Sequence, residues 1–277
     1  MSINKTEEIE VKLITEAIYD TYGYDFSNYA KLSFLRRLTA VKQKNNFKNL
    51  SDMIPKIIHN REFFSEFVHQ LTVNTTEMFR DGDFFKYLSD TILPKLETYP
   101  FIKIWHAGCS TGEEVYSMAI LLKIFGLLNR TQIYATDINK EALHTAGEGI
   151  YSTKVLKEYK ENFNKVFSDN NFLDFFAIKY SSGIADSEFK KKINFSFHNL
   201  TVDGVFTEAQ LILCRNVMIY FNKVLQNRAL SLFHDSLCYG GYLCLGDKET
   251  LKFTDFYDKY KTISEKYKIY KKIDPGI

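Results

Sequence analysis

The hydrophobic pattern divides the chain into two parts of different character. In the first part, apolar side chains recur every three or four positions, which is the spacing of helices that bury one face. The pattern predicts helices over 5–22, 29–43, 50–59 and 61–71. No glycine lies between Gly23 and Gly82, and Pro55 is the one proline in that stretch, so little interrupts these helices. Residues 1–75 are therefore predicted to form a small helical domain.

The pattern changes near residue 101, where short apolar runs alternate with helical stretches. Strands are predicted at Ile102–His106, Gln132–Thr136, Ile193–Phe197, Leu211–Cys214 and Tyr242–Leu245, with helices at Tyr116–Leu128 and Lys140–Ala146. Such alternation indicates βαβ units and a mainly parallel sheet, so an α/β domain is predicted over residues 76–277. The polar, aromatic and Lys-rich stretch 155–192 interrupts the alternation and is predicted to be an inserted subdomain.

Composition narrows the class of protein. Of 277 residues, 45% are hydrophobic and 25% are charged, which excludes a largely disordered chain. No apolar run approaches a membrane span, and the N-terminus lacks a signal-peptide pattern, so we expect a cytoplasmic protein without membrane insertion. The four cysteines form no CxxC pair, and no metal site is expected. A net charge of +2 disfavours a uniformly basic nucleic-acid binder but leaves room for a local basic patch.

A predicted turn rich in Gly, Ser and Thr follows the first strand, in the segment 102–122. Glycine lets a ligand approach the backbone closely, yet neither GxGxxG nor GK[ST] is present. Glu113 and Glu114 stand where the next helix begins, and they would repel a phosphate but attract an amino or sulfonium group. This favours S-adenosylmethionine over a dinucleotide. An ordinary capped helix start is the alternative.

Polar residues also follow two later strands. Asp137 ends the second strand, where an acid typically hydrogen-bonds ribose hydroxyls, although it could instead cap the next helix. Arg215 and Asn216 come directly after the strand at 211–214, with Tyr220 close behind. Ligands bind at the carboxyl ends of strands in open α/β sheets. A purely structural ion pair of Arg215 is the alternative.

A fourth polar group lies at the junction of the two parts. Asn74, Thr76 and Arg80 precede an aromatic cluster. On physical grounds alone, this segment could equally be a helix cap with an exposed arginine.

Together these segments resemble the chemotaxis receptor glutamate methyltransferases, the CheR-type family. The matching pieces are Asn74–Arg80, Ala107–Ser117, Thr136–Ile138, Asn199–Leu200, Cys214–Phe221 and Gly240–Gly246, in that order. The resemblance implies an all-α N-terminal domain followed by a Rossmann-like S-adenosylmethionine-dependent methyltransferase domain with a small inserted β-subdomain. It also implies methylation of glutamate side chains on chemotaxis receptors, with S-adenosyl-L-homocysteine as the second product. Because the insertion is shorter than in members that tether to a receptor C-terminal peptide, tethering is left open.

The resemblance also implies roles for individual residues. Asn74, Thr76 and Arg80 would line the cofactor and the active-site mouth. Glu114 would hold the methionine amino group, with Glu113 as the alternative, and Asp137 would hold the ribose. Asn199 and Leu200 would lie on the adenine side, Arg215 and Asn216 at the methionine end, and Tyr220 at the reacting centre. Arg80 or Arg215 would orient the substrate carboxylate.

A basic stretch is the second predicted functional element. Residues 26–51 carry six lysines and arginines and no acid. The family resemblance implies that Lys31, Arg36, Arg37 and Lys42 dock the acidic helical region of a methyl-accepting receptor in the cytoplasm. Such a stretch could also be an ordinary solvated helix face, or it could attract RNA. We expect a receptor partner, no nucleic acid, and a monomer that is recruited to receptor arrays.

Two other functions compete with glutamate methylation. One is methylation of RNA or of a small molecule, but the sequence has no Pro–Pro pair of the kind found in motifs for amino nucleophiles. The other is a non-catalytic module that binds the cofactor as a signal. The presence of Arg80, Asp137, Arg215 and Tyr220 disfavours this second alternative.

Overall fold

The computed structural model describes residues 3–71 and 76–273. The helices are α1 Lys5–Tyr22, α2 Lys31–Lys44, α3 Ile54–His59, α4 Arg61–Leu71, α5 Gly82–Tyr87, α6 Leu93–Leu96, α7 Glu113–Ile124, α8 Lys140–Glu148, α9 Thr153–Asn164, α10 Ser187–Lys192 and α11 Lys223–Ser236. The strands are β1 Ile102–Ala107, β2 Thr131–Asp137, β3 Ile150–Ser152, β4 Phe176–Lys179, β5 Ser182–Ala185, β6 Ile193–Phe197, β7 Ala209–Cys214, β8 Leu237–Leu245, β9 Tyr260–Ser264 and β10 Ile269–Lys272.

Helices α1 to α4 form a separate N-terminal core. Asn4 and Glu7 make a reciprocal capping box at the start of α1, and Gly23 ends that helix in the left-handed conformation. One apolar face of each helix then packs inward, and buried members of this core include Ile14, Leu38 and Phe67. The helical N-terminal domain therefore follows from the three-to-four spacing of its apolar residues.

The second part is built on one seven-stranded sheet, in the order β6-β2-β1-β7-β8-β10-β9. The first five strands in that order are parallel, and β10 pairs antiparallel with both of its neighbours. Consecutive residues of β1 point to opposite faces of the sheet. Ile104 joins the core that holds α7, and Trp105 joins the core that holds α11. Helices thus cover both faces, as a parallel sheet requires.

The direction of chain progression reverses between β1 and β7. From β1 the chain moves outward through β2 to β6, and it then returns to place β7 on the other side of β1. The carboxyl ends of β1 and β7 therefore diverge into loops that lead to opposite sides. This divergence opens a crevice, which is the usual ligand position in open α/β sheets.

A small antiparallel sheet, in the order β3-β5-β4, lies between β2 and β6 in the sequence. It starts at Ile150 and is accompanied by α9 and α10, which places its first strand ahead of the predicted stretch 155–192. The Tyr151 hydroxyl donates a hydrogen bond to the carbonyl of Thr111 at 3.2 Å. The inserted sheet thus contacts the loop that follows β1.

The predicted α/β fold class is confirmed, and all five predicted strands are present. Two details differ. The predicted helix over 116–128 ends at Ile124, because Gly126 adopts φ 70° just beyond it. Strands β9 and β10 were missed, since their alternation is masked by the many lysines and tyrosines between 257 and 272. Among the helices of the described residues, none has both the length and the apolar character that a bilayer crossing needs.

The two parts are joined by backbone hydrogen bonds. The amide of Ala30 donates to the carbonyl of Tyr220 at 2.8 Å, and the amide of Asn222 donates to the carbonyl of Asn28 at 3.0 Å. The segment before α2 therefore pairs directly with the segment that follows β7. This pairing brings the N-terminal domain to the edge of the crevice.

Gly112 tests how tightly the loop after β1 is packed. Its φ is 90°, and an added Cβ would lie 2.9 Å from the Cβ of Ala146. We expect Gly112→Ala to lower the free energy of unfolding by about 3 kcal/mol, the sum of left-handed strain and overpacking. The measurement is urea denaturation followed by circular dichroism.

Gly126→Ala is the matched control for Gly112→Ala. Gly126 also has positive φ, at 70°, but an added Cβ would meet nothing within 4 Å. It should cost only about 1 kcal/mol, from strain alone. Equal losses in the two variants would show that close packing at Gly112 contributes nothing.

Candidate functional site

An open cavity lies at the carboxyl ends of β1, β2 and β7. Its lining includes Thr76, Arg80, Glu114, Asp137, Asn199, Leu200, Arg215, Asn216 and Tyr220, all of which were singled out from the sequence. Asn74 lies outside the described residues. These residues come from five separate parts of the chain, which therefore meet at one cavity.

Arg215 is a charge of the site whose side chain is only 4% exposed. Its two terminal nitrogens contact Glu114 Oε2 at 3.0 Å and Asp81 Oδ2 at 2.7 Å. The guanidinium also lies 3.9 Å from the centroid of the Phe84 ring. Burial opposes the charge of Arg215, but the two carboxylates outweigh burial and raise its pKa. Arg215 is therefore held rigidly as a cation.

Of the two acids at the start of α7, Glu114 is the one that lines the cavity. Its Oε1 contacts His106 Nδ1 at 3.1 Å, in addition to the Arg215 contact. Burial works against ionisation of Glu114, yet the hydrogen bond with His106 and the charge of Arg215 prevail and lower its pKa. Glu114 is thus a stable carboxylate at neutral pH. It carries the negative charge of this wall of the cavity.

Glu113 points to the inserted subdomain instead. Its Oε2 accepts a hydrogen bond from the Thr111 hydroxyl at 2.7 Å, and Tyr159 of α9 is a further hydrogen-bond partner. Burial raises the pKa of Glu113 to about 7, despite these hydrogen bonds. Glu113 therefore belongs to the contact between the loop and α9, and not to the cavity lining.

Asp137 fixes the loop that follows β1. Its carboxylate accepts the amide of Ser110 at 2.7 Å and the amide of Asn139 at 2.9 Å. Burial raises its pKa, while these backbone donors act in the opposite direction. Asn139, and not Asp137, caps α8 through its own side chain. The capping alternative for Asp137 is therefore wrong, and its carboxylate is left at the cavity wall.

The structure corrects the expectation for Arg37. Unlike Arg36, which is exposed, Arg37 is buried and lines the cavity. One terminal nitrogen donates to the carbonyl of Leu71, and the guanidinium lies 4.0 Å from the centroid of the Tyr220 ring. Its other terminal nitrogen is buried and has no hydrogen-bond partner among the described residues. Arg37 is not available to an exposed docking surface, because one turn of α2 presents adjacent residues to different faces.

The remaining basic residues of α2 do lie at the surface. Lys31 and Arg36 are exposed, and Lys42 is half-buried with its Nζ 3.4 Å from the carbonyl of Lys48. Lys31 lies 4.0 Å from Glu8, which is a weak surface pair. The exposed part of the predicted docking surface is thus reduced to Lys31 and Arg36, with half-buried Lys42 beside them.

Several cavity residues were missed by the sequence interpretation: Tyr29, Phe85, Ser110, His198, Val217 and Phe221. Asp81 was missed as well, although its position directly after Arg80 was a signal that another charge lay nearby. No local signal marks Tyr29, which reaches the cavity only through the pairing of the two domains. Within the described residues, no cluster of three or more His, Cys, Asp or Glu side chains is arranged to hold a metal ion.

Comparison with protein families decides the assignment. Residues 9–72 match the family described as CheR methyltransferase, all-alpha domain. Residues 74–269 match the family described as CheR methyltransferase, SAM binding domain. The chain belongs to the CheR methyltransferase family. It is accordingly an S-adenosylmethionine-dependent methyltransferase by family.

Individual relatives cover nearly the whole chain. The chain is 43% identical to the Cher3 protein of Pseudomonas putida over 272 residues, which span 98% of this chain and all of that protein. It is 32% identical to the chemotaxis protein methyltransferase of Borreliella burgdorferi, with 91% of each covered. It is also 32% identical to chemotaxis protein methyltransferase 1 of Vibrio cholerae, over 82% of this chain and 83% of that one.

The cavity of this CheR family member fits S-adenosylmethionine. The cofactor carries a cationic sulfonium, an ammonium and a carboxylate at one end. Glu114 supplies a stable anion to the cavity wall, and Arg37 and Arg80 supply cations. An amide-rich loop and Asp137 border the same space, where ribose hydroxyls can be bound. Both charge types of the methionine end therefore have opposite charges available.

The raised pKa of Glu113 predicts a pH-dependent stability difference. An acid whose pKa is higher in the folded state than in the unfolded state destabilises the fold as pH rises from about 4.5 to about 7. Glu113→Gln removes this effect and keeps an acceptor for Thr111. Relative to the unmodified protein, the variant should gain up to about 3 kcal/mol between pH 5 and pH 8.

Thermal unfolding of both proteins, measured in parallel across that pH range, checks the Glu113→Gln prediction. Glu161→Gln, at an exposed position of α9 in the inserted subdomain, is the control and should give a pH-independent difference. A constant difference for Glu113→Gln as well would contradict a raised pKa at that position.

Proposed function

We propose that this CheR family member transfers a methyl group from S-adenosylmethionine to glutamate side chains of chemotaxis receptors, as a protein-glutamate O-methyltransferase. The carrying observation is the charge arrangement of the cavity, in which Glu114 lies on one wall and buried Arg37 is within reach of the same space. The wall that carries Glu114 suits the ammonium of the cofactor. The arginine, with a nitrogen that lacks a partner among the described residues, suits a carboxylate.

The chemistry requires little from the protein beyond orientation. S-adenosylmethionine supplies an electrophilic methyl group. A glutamate carboxylate has a reference pKa of about 4.3, so it is ionised near neutral pH and needs no general base. Charges of opposite sign are neutralised as the methyl group moves, and strong electrostatic contacts would stabilise the reactants more than the transition state. Proximity and alignment are therefore the expected contributions.

The cofactor-side roles follow the cavity lining. Glu114 binds the methionine amino group, and Asp137 binds ribose hydroxyls. Asn199 and Leu200 border the adenine, and Arg215 and Asn216 flank the methionine end. Thr76 lies at the mouth of the site, and Asn74, which is outside the described residues, is assigned there on the family resemblance alone. Because Arg215 already satisfies Glu114 and Asp81, its role on this side is to hold the acid in place.

The substrate side is formed by the other two arginines and Tyr220. Arg80 and Arg37 line the cavity together, and either can donate hydrogen bonds to the oxygens of a carboxylate. The ring of Tyr220 stacks on the Arg37 guanidinium, so the position of the tyrosine and that of the arginine are coupled. Tyr220 then provides a hydroxyl beside the reacting carboxylate.

Receptor docking is assigned to exposed Lys31 and Arg36 and to half-buried Lys42 of α2. They lie on the helix that also carries Arg37 into the cavity, so an acidic helix bound there would be close to the site. Docking at this surface would recruit the protein to receptor arrays in the cytoplasm. In this proposal one helix contacts the substrate in two places. The buried arginine contacts it in the cavity, and the surface charges contact it outside.

The proposed function is tested by radiolabelled methyl transfer to receptor-containing membranes. A methyl ester releases methanol on treatment with base, whereas a methylated amine or nucleobase retains its label. Base-labile transfer is expected. Transfer of a base-stable label, or transfer to RNA in place of receptors, would support the alternative methyltransferase functions and reject this one.

Tyr220→Phe should separate methyl transfer from cofactor binding. Loss of one hydroxyl contact at the reacting centre is expected to lower kcat about tenfold. The dissociation constant of S-adenosylhomocysteine should stay within about twofold, because most cofactor contacts lie elsewhere. Calorimetry and the radiolabel assay give the two quantities. Exposed Tyr239→Phe is the control, and unchanged turnover of Tyr220→Phe would remove the assigned role.

Arg36→Glu tests the docking surface without disturbing the cavity. Binding to receptor membranes should weaken about tenfold, and the salt dependence should become shallower, because one charge pair is reversed. Methyl transfer at saturating receptor should change little. Lys95→Glu, an exposed reversal outside the helical domain, is the control. Membrane binding equal to that of the control would place docking elsewhere.

A further inference from the structure

Glu249 has no role in the site described above. It binds the loop that follows β7, and that loop carries site residues. This residue lies just beyond β8 and is buried to 5% exposure. Its Oε1 accepts the amides of Val217 at 2.9 Å, Met218 at 2.7 Å and Ile219 at 3.3 Å. Its Oε2 accepts the amides of Asn216 at 3.0 Å and Gly246 at 2.6 Å. One carboxylate thus receives five backbone donors.

Four of these donors are consecutive along the loop, a pattern otherwise found at the start of a helix. Here the chain forms only one short turn, Met218–Tyr220. No longer helix is present that would satisfy or orient these amides. Leaving a buried donor unpaired costs about 1–3 kcal/mol each, and bonds to a charged acceptor are stronger than neutral ones. The loop conformation therefore depends on an acceptor some thirty residues away in the sequence.

The loop also turns sharply at the residue that begins this series. Asn216 has φ 61°, the left-handed conformation, which asparagine adopts more readily than other residues with a Cβ. Gly246 packs against the same point, since an added Cβ there would lie 2.7 Å from Glu249 Oε2 and 2.8 Å from the Asn216 amide nitrogen. Nothing in this arrangement leaves room for the loop to relax inward.

We propose that Glu249 is a positioning residue for methyl transfer, which holds the loop from Asn216 to Ile219 so that Arg215 and Tyr220 are aligned at the two ends of the reacting centre. This inference rests on the proposed function for its catalytic consequence. The loop-ordering role of Glu249 does not depend on which substrate is methylated. Glu249 is not itself among the residues that line the cavity, and it acts through the backbone of residues that do.

Glu249→Gln is the direct test, because the amide keeps the size of the side chain but turns one acceptor into a donor facing the loop amides. Hydrogen–deuterium exchange should accelerate about tenfold in the peptide that contains Asn216–Ile219, with the central strands unchanged. The kcat of receptor methylation should fall about tenfold, and the KM for S-adenosylmethionine should change less than about twofold. Glu265→Gln, in an exposed ion-pair cluster, is the control for both measurements.

Gly246→Ala is the second variant, and it decides the question if Glu249→Gln does not fold. Its φ is not positive, so the added methyl acts only by intruding between Glu249 and Asn216. The same local increase in exchange is expected. Exchange at Asn216–Ile219 equal to that of the control, or an increase spread evenly over the sheet, would overturn the proposal. If the unmodified protein methylates no receptor, the proposed function fails while the exchange experiment still decides the role of Glu249.

Discussion

The site depends on one buried cation. The guanidinium of Arg215 joins the end of β7 to Glu114 at the start of α7 and to Asp81 of the segment between the domains. A buried ion pair adds little net stability when compared with apolar packing, but removal of one partner leaves an uncompensated charge that costs about 3–5 kcal/mol. The cluster therefore acts chiefly as a constraint. The charges of Arg215 and Glu114 are buried and are tolerable only together, whereas Asp81, whose side chain is 52% exposed, adds a second and more exposed partner for the guanidinium.

The net charge of this cluster explains how it can serve a cationic ligand. Two carboxylates share one guanidinium, so these three groups together carry one excess negative charge. The methionine end of the cofactor brings a sulfonium and an ammonium. Glu114 can face such a group without changing its own protonation, since its pKa is already lowered by the hydrogen bond with His106 and the charge of Arg215. Orientation of the acid is thus set before the ligand arrives.

Sequence reasoning located most of this site because parallel strands bring their carboxyl ends to one edge. Asp137 and Arg215 each follow a strand that an apolar run makes evident, and the topology then forces them together. Arg37 was misassigned for the opposite reason. Its neighbour Arg36 has the same chemistry, and only the packing of α2 against the second domain decides which one is buried. Asp81 and Glu249 escaped notice because their roles are defined by partners far away in the chain, which no local pattern encodes.

The inserted subdomain contacts the same loop from the other side, and this has a mechanical consequence. Tyr151 and Tyr159 hold Thr111 and Glu113, which directly precede the cavity residue Glu114. Adjacent helix residues face different directions, so one acid is committed to the subdomain while the next is committed to Arg215. A shift of the inserted subdomain would therefore move Glu113 and, through the adjoining backbone, Glu114, which faces the cavity. Glu113 is only 6% exposed, so this contact is packed away from solvent.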